Sequence, residues 1–552
     1  MERLFSTHCI RSSHEAAPLW TMATLDNGGL AAPVKVLVPG VWESLPELKN
    51  YHGRAVYEQC IECGGSIRFF FGGVSFRAKV WLDDALLCTH YGAYTGFEAL
   101  AENVAAGVHI LKVEVDNRFG DDSALHVPND YYSYGGINRP VVIEGLRSAY
   151  ITSLHIVPCM ENDIWLAKIT AAVRSLSDAD QRFELKLTAC GKETAAEKIS
   201  LPARRTVTVK RTIACANVQP WAPETPALYS IAAVLLADGQ PVDDLLDRFG
   251  FREVKVEGSR ILLNGKPLLL KGFNRHEEFG DFGCAVPVDA MARDLELMRN
   301  IGCNCVRTCH YPNDQRFLDL CDEMGILVWE ESHARSMSEK MMRHPLFLEQ
   351  LHLCTREMVE QHFNHPAIFI WGCLNECDDK SEYGADCFRQ TYRLLHGLDD
   401  SRPMTAALLE RAGGKVYGDS DVVSINIYPQ WYHNTPAQEG LHTKLTEINE
   451  NGGAGKPVIV SEIGAGAVFG YHDPFGEAKW SEERQCTILR EQITAVLTNP
   501  ACLGVFLWQF ADVRVDESWF GHRPKTFNNK GVVDEFRRPK LSYATVKELF
   551  RR

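Results

Sequence analysis

The stretch Ala367-Ile-Phe-Ile-Trp371, running through Gly372-Cys373-Leu374 into Asn375-Glu376, decides the fold. An apolar run of strand length with no polar alternation reads as a strand buried on both faces, the mark of a parallel sheet. Pro457-Val-Ile-Val-Ser461 repeats the grammar and ends in Glu462. Working outward, further runs of this kind occupy Leu268–Gly272, Cys303–Thr308, Leu327–Glu330, Met404–Ala407, Val422–Ile427 and Val505–Gln509. Between them, Asp289–Asn300, Asn313–Glu323, Phe347–His362 and Glu482–Leu497 carry apolar residues at helical spacing. Eight strands alternating with helices over roughly 300 residues predict a (β/α)8 TIM barrel over residues 254–552. In that fold reactive groups follow the C-terminal ends of the strands, where Glu376 and Glu462 stand.

Upstream the texture differs. Short alternating runs punctuated by Gly, Asp and Asn, such as Ser66–Phe71, Phe76–Leu82 and His109–Val115, predict a β-sandwich over residues 1–150. Ile164–Val173, Arg182–Leu187 and Thr206–Ile213, with a Pro-rich stretch from Gln219, predict a second, smaller sandwich over 151–253. The chain is therefore read as multidomain, as its 552 residues require.

Composition narrows the function. With 45% hydrophobic and 24% charged residues the chain is neither disordered nor repetitive. A formal charge of -14 disfavours binding to nucleic acid and to anionic membranes. No apolar run reaches spanning length, and no signal peptide is legible in residues 1–20. Eighteen cysteines scattered through predicted strands and helices read as reduced core residues, so a cytoplasmic location is expected. The Cys60/Cys63 pair lacks a second pair at zinc spacing, and no metal is expected there.

Two carboxylates emerging from strands four and seven at one barrel end suit glycoside hydrolysis. One protonates the leaving oxygen while the other attacks the anomeric carbon or directs water to it. Either Glu alone is equally readable as a helix cap or an ion-pair partner. Asn375, one residue before Glu376, is placed to hydrogen-bond a sugar hydroxyl beside the reacting carbon.

Gly272-Phe-Asn-Arg-His-Glu277, Asn304-Cys-Val-Arg-Thr-Cys-His-Tyr-Pro312, Asn364-His-Pro366, Trp371 with Asn375-Glu376, and Ser461-Glu462 resemble the signatures of glycoside hydrolase family 2. The resemblance spans nearly the whole chain. It implies a jelly-roll domain, an immunoglobulin-like β-sandwich and a TIM barrel in that order. It further implies a retaining mechanism with Glu376 as acid/base and Glu462 as nucleophile, no metal or organic cofactor, and a homo-oligomer. Phe527-Asn-Asn-Lys-Gly531 resembles the Asn-x-Lys motif of the family's β-glucuronidases. There the amide and ammonium, here Asn528 and Lys530, clasp the C6 carboxylate of the sugar.

By the same resemblance Asp130, in Asn129-Asp-Tyr-Tyr-Ser-Tyr-Gly-Gly-Ile-Asn-Arg139, and His310 bind sugar hydroxyls. Asn426, Tyr428, Trp431 and Tyr432 follow strand six; Tyr428 orients the nucleophile and Tyr432 approaches the carboxylate. Trp508 is the apolar sugar platform. Arg307 is read either as holding the nucleophile ionised or as a structural ion pair. Arg335, in Glu330-Glu-Ser-His-Ala-Arg335, departs from the glucuronidase pattern. It reads as a contact to the sugar's carboxylate or C4 hydroxyl, or as a partner of Glu330 or Glu331, and leaves glucuronide and galacturonide both open. The expected substrate is a β-D-uronide; the rivals are a β-galactosidase on neutral sugars and a non-catalytic carbohydrate-binding protein.

Overall fold

The computed structural model describes residues 3–410 and 412–552. Barrel strands β1 (Leu270–Arg275), β2 (Cys305–Thr308), β3 (Leu327–Glu331), β4 (Ile368–Cys373), β5 (Met404–Leu409), β6 (Val423–Asn426), β7 (Val458–Ile463) and β8 (Cys502–Leu507) close into one barrel. Each strand pairs in parallel with its neighbours, and β8 returns to β1. The strands are buried along almost their whole length, which explains why their sequences show no alternation. Each lies where an apolar run predicts one. The bounds differ at the ends: β4, β5 and β7 run two residues further than their apolar runs, β1 runs three further and β8 begins three earlier, so Glu462 lies within β7 rather than after it. Helices Phe347–His362 and Glu482–Leu497 match their predicted spans.

The N-terminal part is built from antiparallel sheets. An eight-stranded sheet is dominated by the long strands Arg54–Phe71 and Phe97–Asp116, whose alternating burial encloses a core around Trp20, Trp42, Phe69 and Phe71. A three-stranded and a five-stranded sheet follow, joined by a second core around Ile169, Leu185 and Phe249. Among the described residues no helix is long and apolar enough to cross a membrane.

Residues 129–140 connect two strands of the first sheet yet form no regular element and are buried throughout. Buried irregular backbone must find partners elsewhere. Glu43 accepts from the Gly135 amide at 3.0 Å, and Arg139 donates to Glu277 and to the Pro312 carbonyl, both at 2.7 Å. Gly135 tolerates no side chain, because a Cβ would lie 2.0 Å from Trp42. This segment is thereby clamped against the mouth of the barrel.

The Asn364-His-Pro366 motif serves the seam between units. The Asn364 amide donates to Leu154 O at 2.6 Å and to Asp247 at 2.7 Å, and accepts from the Ile156 amide at 2.9 Å. His365 Nδ1 lies 2.5 Å from Asp322, on the helix after β2. Asn364→Ala breaks three buried bonds, a loss of about 3 kcal/mol at roughly 1 kcal/mol each. Urea unfolding is expected to begin at lower denaturant in this variant, and a curve superimposable on wild type would refute the seam.

Candidate active site

Arg307, fully buried at the end of β2, organises the mouth. Its Nη1 donates to Glu462 Oε1 at 2.9 Å and to Asn274 Oδ1 at 2.7 Å. Nε and Nη2 fork onto Glu331 at 2.8 and 2.9 Å, and Nη2 also reaches Asn375 Oδ1 at 2.8 Å. Such bidentate, charge-assisted bonds are short and directional, so each acceptor is held in one orientation.

Glu462 is brought inward by a bulge. Asn426 of β6 pairs with Glu462 immediately after Ile425 pairs with Val460, so Ser461 is the extra residue. Ser461 Oγ donates to Asn426 at 2.7 Å, and Tyr428 Oη donates to Glu462 Oε2 at 2.6 Å. Asn426 in turn donates to Glu376 Oε1 at 3.1 Å and to Asn375 Oδ1 at 3.0 Å; that same Asn375 oxygen accepts from Arg307, which holds Glu462, so the two acids are linked through Asn426, Asn375 and Arg307. Ser336 donates to the other oxygen of Glu376 at 3.3 Å.

The backbone delivering Glu376 is strained. Leu374 and Glu376 adopt left-handed φ values of 48° and 51°. For residues with side chains this costs about 1–2 kcal/mol apiece. Amide bonds from Asn375 to Ala334 O at 2.9 Å and from Glu376 to Ala407 O at 2.8 Å hold the turn in place. Residues kept in such conformations cluster where function requires them.

Glu462 titrates far from its ordinary 4.5: burial, then the charge of Glu376, push it up to about 7, against the pull of Arg307 and Tyr428. His310 is driven well below 6.5 by burial and by Arg307, so its ring is neutral. The ring stacks on Trp508 with centroids 5.0 Å apart. Nδ1 lies 3.1 Å from Glu331; Nε2 lacks a hydrogen bond and lies 4.0 Å from Glu462. A proton on Nδ1 leaves Nε2 as an acceptor for a hydroxyl.

Asp130, Arg335, Glu376, Asn426, Tyr428, Tyr432, Glu462, Trp508 and Lys530 line one cavity of about 850 Å³. His310, Asn375 and Asn528 adjoin that lining: Asn375 bonds Asn426, Asn528 bonds Asp130, and His310 Nε2 lies 4.0 Å from Glu462. Trp431 does not line the cavity; it packs edge-on against Trp480 at 4.9 Å. Arg335 pairs with neither of the acids offered by the sequence, since Glu330 binds His362 and Glu331 is taken by Arg307. It bonds Asn129 instead, with Nη2 3.9 Å from Glu376 and Nε lacking a partner.

Lys530 is only 2% exposed and has no salt-bridge partner among the described residues. Its ammonium lies 5.3 Å from the centre of the Tyr432 ring. Tyr432 is an exposed residue overall; desolvation of its hydroxyl would raise the phenol, but Lys530 and Arg523 together bring it below its usual value. Arg523, Trp519 and His522 also line the cavity and are missed by the sequence reading. The only available signal was a cation five residues before Asn528 on the excursion after β8.

A (β/α)8 barrel presenting two linked carboxylates at its C-terminal mouth is a glycosidase scaffold. Residues 254–552 match the TIM barrel domain of glycosyl hydrolases family 2, and residues 149–252 match a further domain of glycosyl hydrolases family 2. The chain belongs to that family. It is 46% identical to a family 2 β-galacturonidase from Eisenbergiella tayi whose crystal structure holds galacturonate. That match has a TM-score of 0.98 and covers 100% of this chain and 99% of that one. A β-glucuronidase of Streptococcus agalactiae is 26% identical over 548 residues, 89% of each chain. A β-glucuronidase of Chlorocebus aethiops is 30% identical over 87% of this chain and 78% of its own.

The raised Glu462 has a consequence for stability. Unfolded, it ionises near 4.5; folded, it keeps its proton to about 7, so between those values the folded state binds more protons and stability falls as pH rises. Glu462→Gln removes a cost fully present above pH 7. It is expected to stabilise the protein by about 1–3 kcal/mol at pH 8 and by clearly less at pH 5. Denaturant melts at the two pH values check this, and a gain that did not grow with pH would contradict the placement of Glu462.

Proposed function

We propose that this chain hydrolyses β-D-uronides, galacturonides in preference to glucuronides, with retention of anomeric configuration. The observation that carries the reading is Lys530, a buried ammonium without an acidic partner in the cavity that holds Glu376 and Glu462. A buried unpaired cation is costly, and an anionic ligand is what offsets it. The C6 carboxylate of a uronic acid meets that need.

In this reading Glu462, ionised and aimed by Arg307 and Tyr428, attacks the anomeric carbon. Glu376 gives its proton to the departing glycosidic oxygen as that bond breaks. The resulting glycosyl ester on Glu462 is cleaved by water, whose proton returns to Glu376. Mutual repulsion of the two carboxylates favours one shared proton. The first step requires that Glu462 give it up, and Arg307 and Tyr428, both bonded to that carboxylate, pull in this direction. Asn375, Asn426 and the neutral His310 stand where sugar hydroxyls bind, Trp508 supplies the apolar face, and Asn528 and Tyr432 flank the carboxylate with Lys530.

The epimer rests on Arg335. Its unpartnered Nε and its position beside Glu376 give it a donor for the hydroxyl that distinguishes galacturonide from glucuronide. The relative bound to galacturonate supports this order, and the β-glucuronidase relatives support activity on both sugars. We also divide the chain at about 150 and 253, assign the first unit a sugar-binding role through Asp130, and place the enzyme in the cytoplasm as a homo-oligomer. The matched spans support the division, and eighteen free thiols support the location.

The test compares kcat/KM for nitrophenyl β-D-galacturonide, β-D-glucuronide and β-D-galactoside. Uronides are expected to exceed the galactoside by at least tenfold, as a charge-assisted contact requires. Lys530→Ala should abolish that margin, and Arg335→Ala should lower the galacturonide to glucuronide ratio. Glu376→Gln should lose about 10²–10⁴ in rate on poor leaving groups. A galactoside turned over as well as the uronides makes the enzyme a β-galactosidase; a Glu462→Ala variant with wild-type rate makes the site non-catalytic.

A further inference from the structure

We infer that His276, Cys309 and His310 form an inhibitory site for a zinc-like divalent cation beside the sugar cavity, where the bound metal captures Glu462 and keeps the sugar out. The ion is no cofactor of the hydrolysis; it takes the place of the substrate.

Adjacent strands bring these residues together. Arg275 at the end of β1 pairs with Thr308 at the end of β2, so the next residues, His276 and Cys309, leave the barrel side by side, and His310 follows. One nitrogen of each histidine and the Cys309 sulfur lie within 4.8 Å of one another, and all three residues are buried. The two imidazoles meet edge to face, with centroids 5.4 Å apart at 80°, an arrangement that turns nitrogens towards a common point instead of stacking the rings. Imidazole and thiolate are donors that zinc favours, and three protein ligands with a fourth position open make a complete zinc site. Asp319, Asp322 and His365 gather as closely elsewhere, but Arg3 already forks onto Asp319, so a cation there would have to displace a guanidinium.

Each ring is already oriented as a ligand. His310 Nδ1 lies 3.1 Å from Glu331 and His276 Nδ1 lies 3.1 Å from Tyr311 Oη, while both Nε2 atoms are buried without a hydrogen-bond partner among the described residues. Protons on the two Nδ1 atoms leave the Nε2 lone pairs free, and an oxygen behind the far nitrogen is how metal-bound histidines are held. Burial and nearby arginines keep both rings neutral, the form that a metal binds. Burial also keeps the proton on the Cys309 thiol; zinc releases it to solvent as the zinc–sulfur bond forms, because a coordinating thiol is deprotonated outright. The fourth ligand is at hand, since Glu462 Oε1 lies 4.0 Å from His310 Nε2. Glu462 and Trp508, on which His310 stacks, both line the cavity, so the ion arrives by the route of the sugar and occupies the nucleophile.

The experiment titrates buffered free Zn²⁺, from about 0.1 to 100 µM, while kcat and KM are measured on nitrophenyl β-D-galacturonide for wild type, Cys309→Ser and Cys309→Ala. In wild type, zinc is expected to raise KM by at least about tenfold and to leave kcat at saturating substrate unchanged, and a chelator is expected to reverse the effect. Cys309 belongs to none of the sugar contacts described above, so both variants should keep the wild-type rate without metal and lose at least about tenfold in sensitivity to zinc. Cobalt is the spectroscopic probe: Co²⁺ should give a thiolate-to-cobalt absorption band in wild type that both variants lack. Zinc inhibition equal in wild type and variants places the metal elsewhere and overturns the proposal, as does a wild-type enzyme that zinc leaves uninhibited across this range. Should one variant fail to fold by circular dichroism, the other decides, and absence of the cobalt band from wild type overturns the proposal without either. That band needs no substrate, so a failure of the uronide reading leaves this test intact; a uronidase indifferent to zinc defeats this inference alone.

Discussion

A single guanidinium ties the catalytic end of the barrel together. Arg307, on β2, bonds Asn274 from β1, Glu331 from β3, Asn375 from the turn after β4 and Glu462 from β7. Removing so buried a charge from water is expensive, and full pairing makes it tolerable. The balance is nonetheless incomplete, because two carboxylates face one cation. Burial raises Glu331 above its usual range in spite of Arg307, and burial together with Glu376 raises Glu462 further. The fold thus holds an acid that resists ionisation, and the strained turn at Leu374 and Glu376 adds to the cost. The stability given up in this way is concentrated at the mouth of the barrel.

The barrel does not complete the mouth alone. Asn129 and Asp130, neighbours on the buried segment of the first unit, each hold one arginine of the barrel: Asn129 takes Arg335, and Asp130 takes Arg523. Two adjacent side chains from another unit therefore set the directions of two guanidiniums that flank the sugar cavity. Glu43 and Arg139 hold the segment, the latter reaching across to Glu277, and backbone bonds such as Trp42 N–H to Gly135 O and Gly40 N–H to Ile137 O add to them. Packing between units and the shaping of the cavity are the same contacts here, which explains why a loop without regular structure is buried so completely.

Strands and helices of the barrel were legible because burial on both faces leaves an unmistakable apolar run, and the acids were legible because they terminate two such runs. Asn528 and Lys530 were legible only through resemblance, since an Asn-x-Lys tripeptide on a loop carries no physical signal of its own. Arg523 escaped for a reason of geometry. Its partner Asp130 is 393 residues away in sequence, and no local pattern encodes so distant an ion pair. Trp431 is the opposite case: an aromatic beside Tyr428 and Tyr432 looks like a sugar contact, and in the structure it packs edge-on against Trp480 outside the cavity lining. Arg335 was ambiguous because the two acids nearest in sequence proved to be committed elsewhere. Residues that act through tertiary pairing are the ones that composition and periodicity leave undetermined.

The charge of the whole molecule, -14, says little about what its cavity prefers. At physiological ionic strength fields decay over about 8 Å, so distant surface carboxylates barely reach the mouth. Locally, Arg335, Lys380, Arg523 and Lys530 line the cavity together with Asp130, Glu339, Glu376, Asp378, Asp379, Glu410 and Glu462, four cations against seven carboxylates, so even the count at the wall does not describe its preference. What matters is which charges are already paired. Asp130 is taken by Arg523 and Glu462 by Arg307, whereas Lys530 is buried with no salt-bridge partner among the described residues and faces the Tyr432 ring. An anion entering the cavity therefore meets one cation whose charge no neighbouring carboxylate has claimed, and a neutral sugar in the same place gains nothing from it.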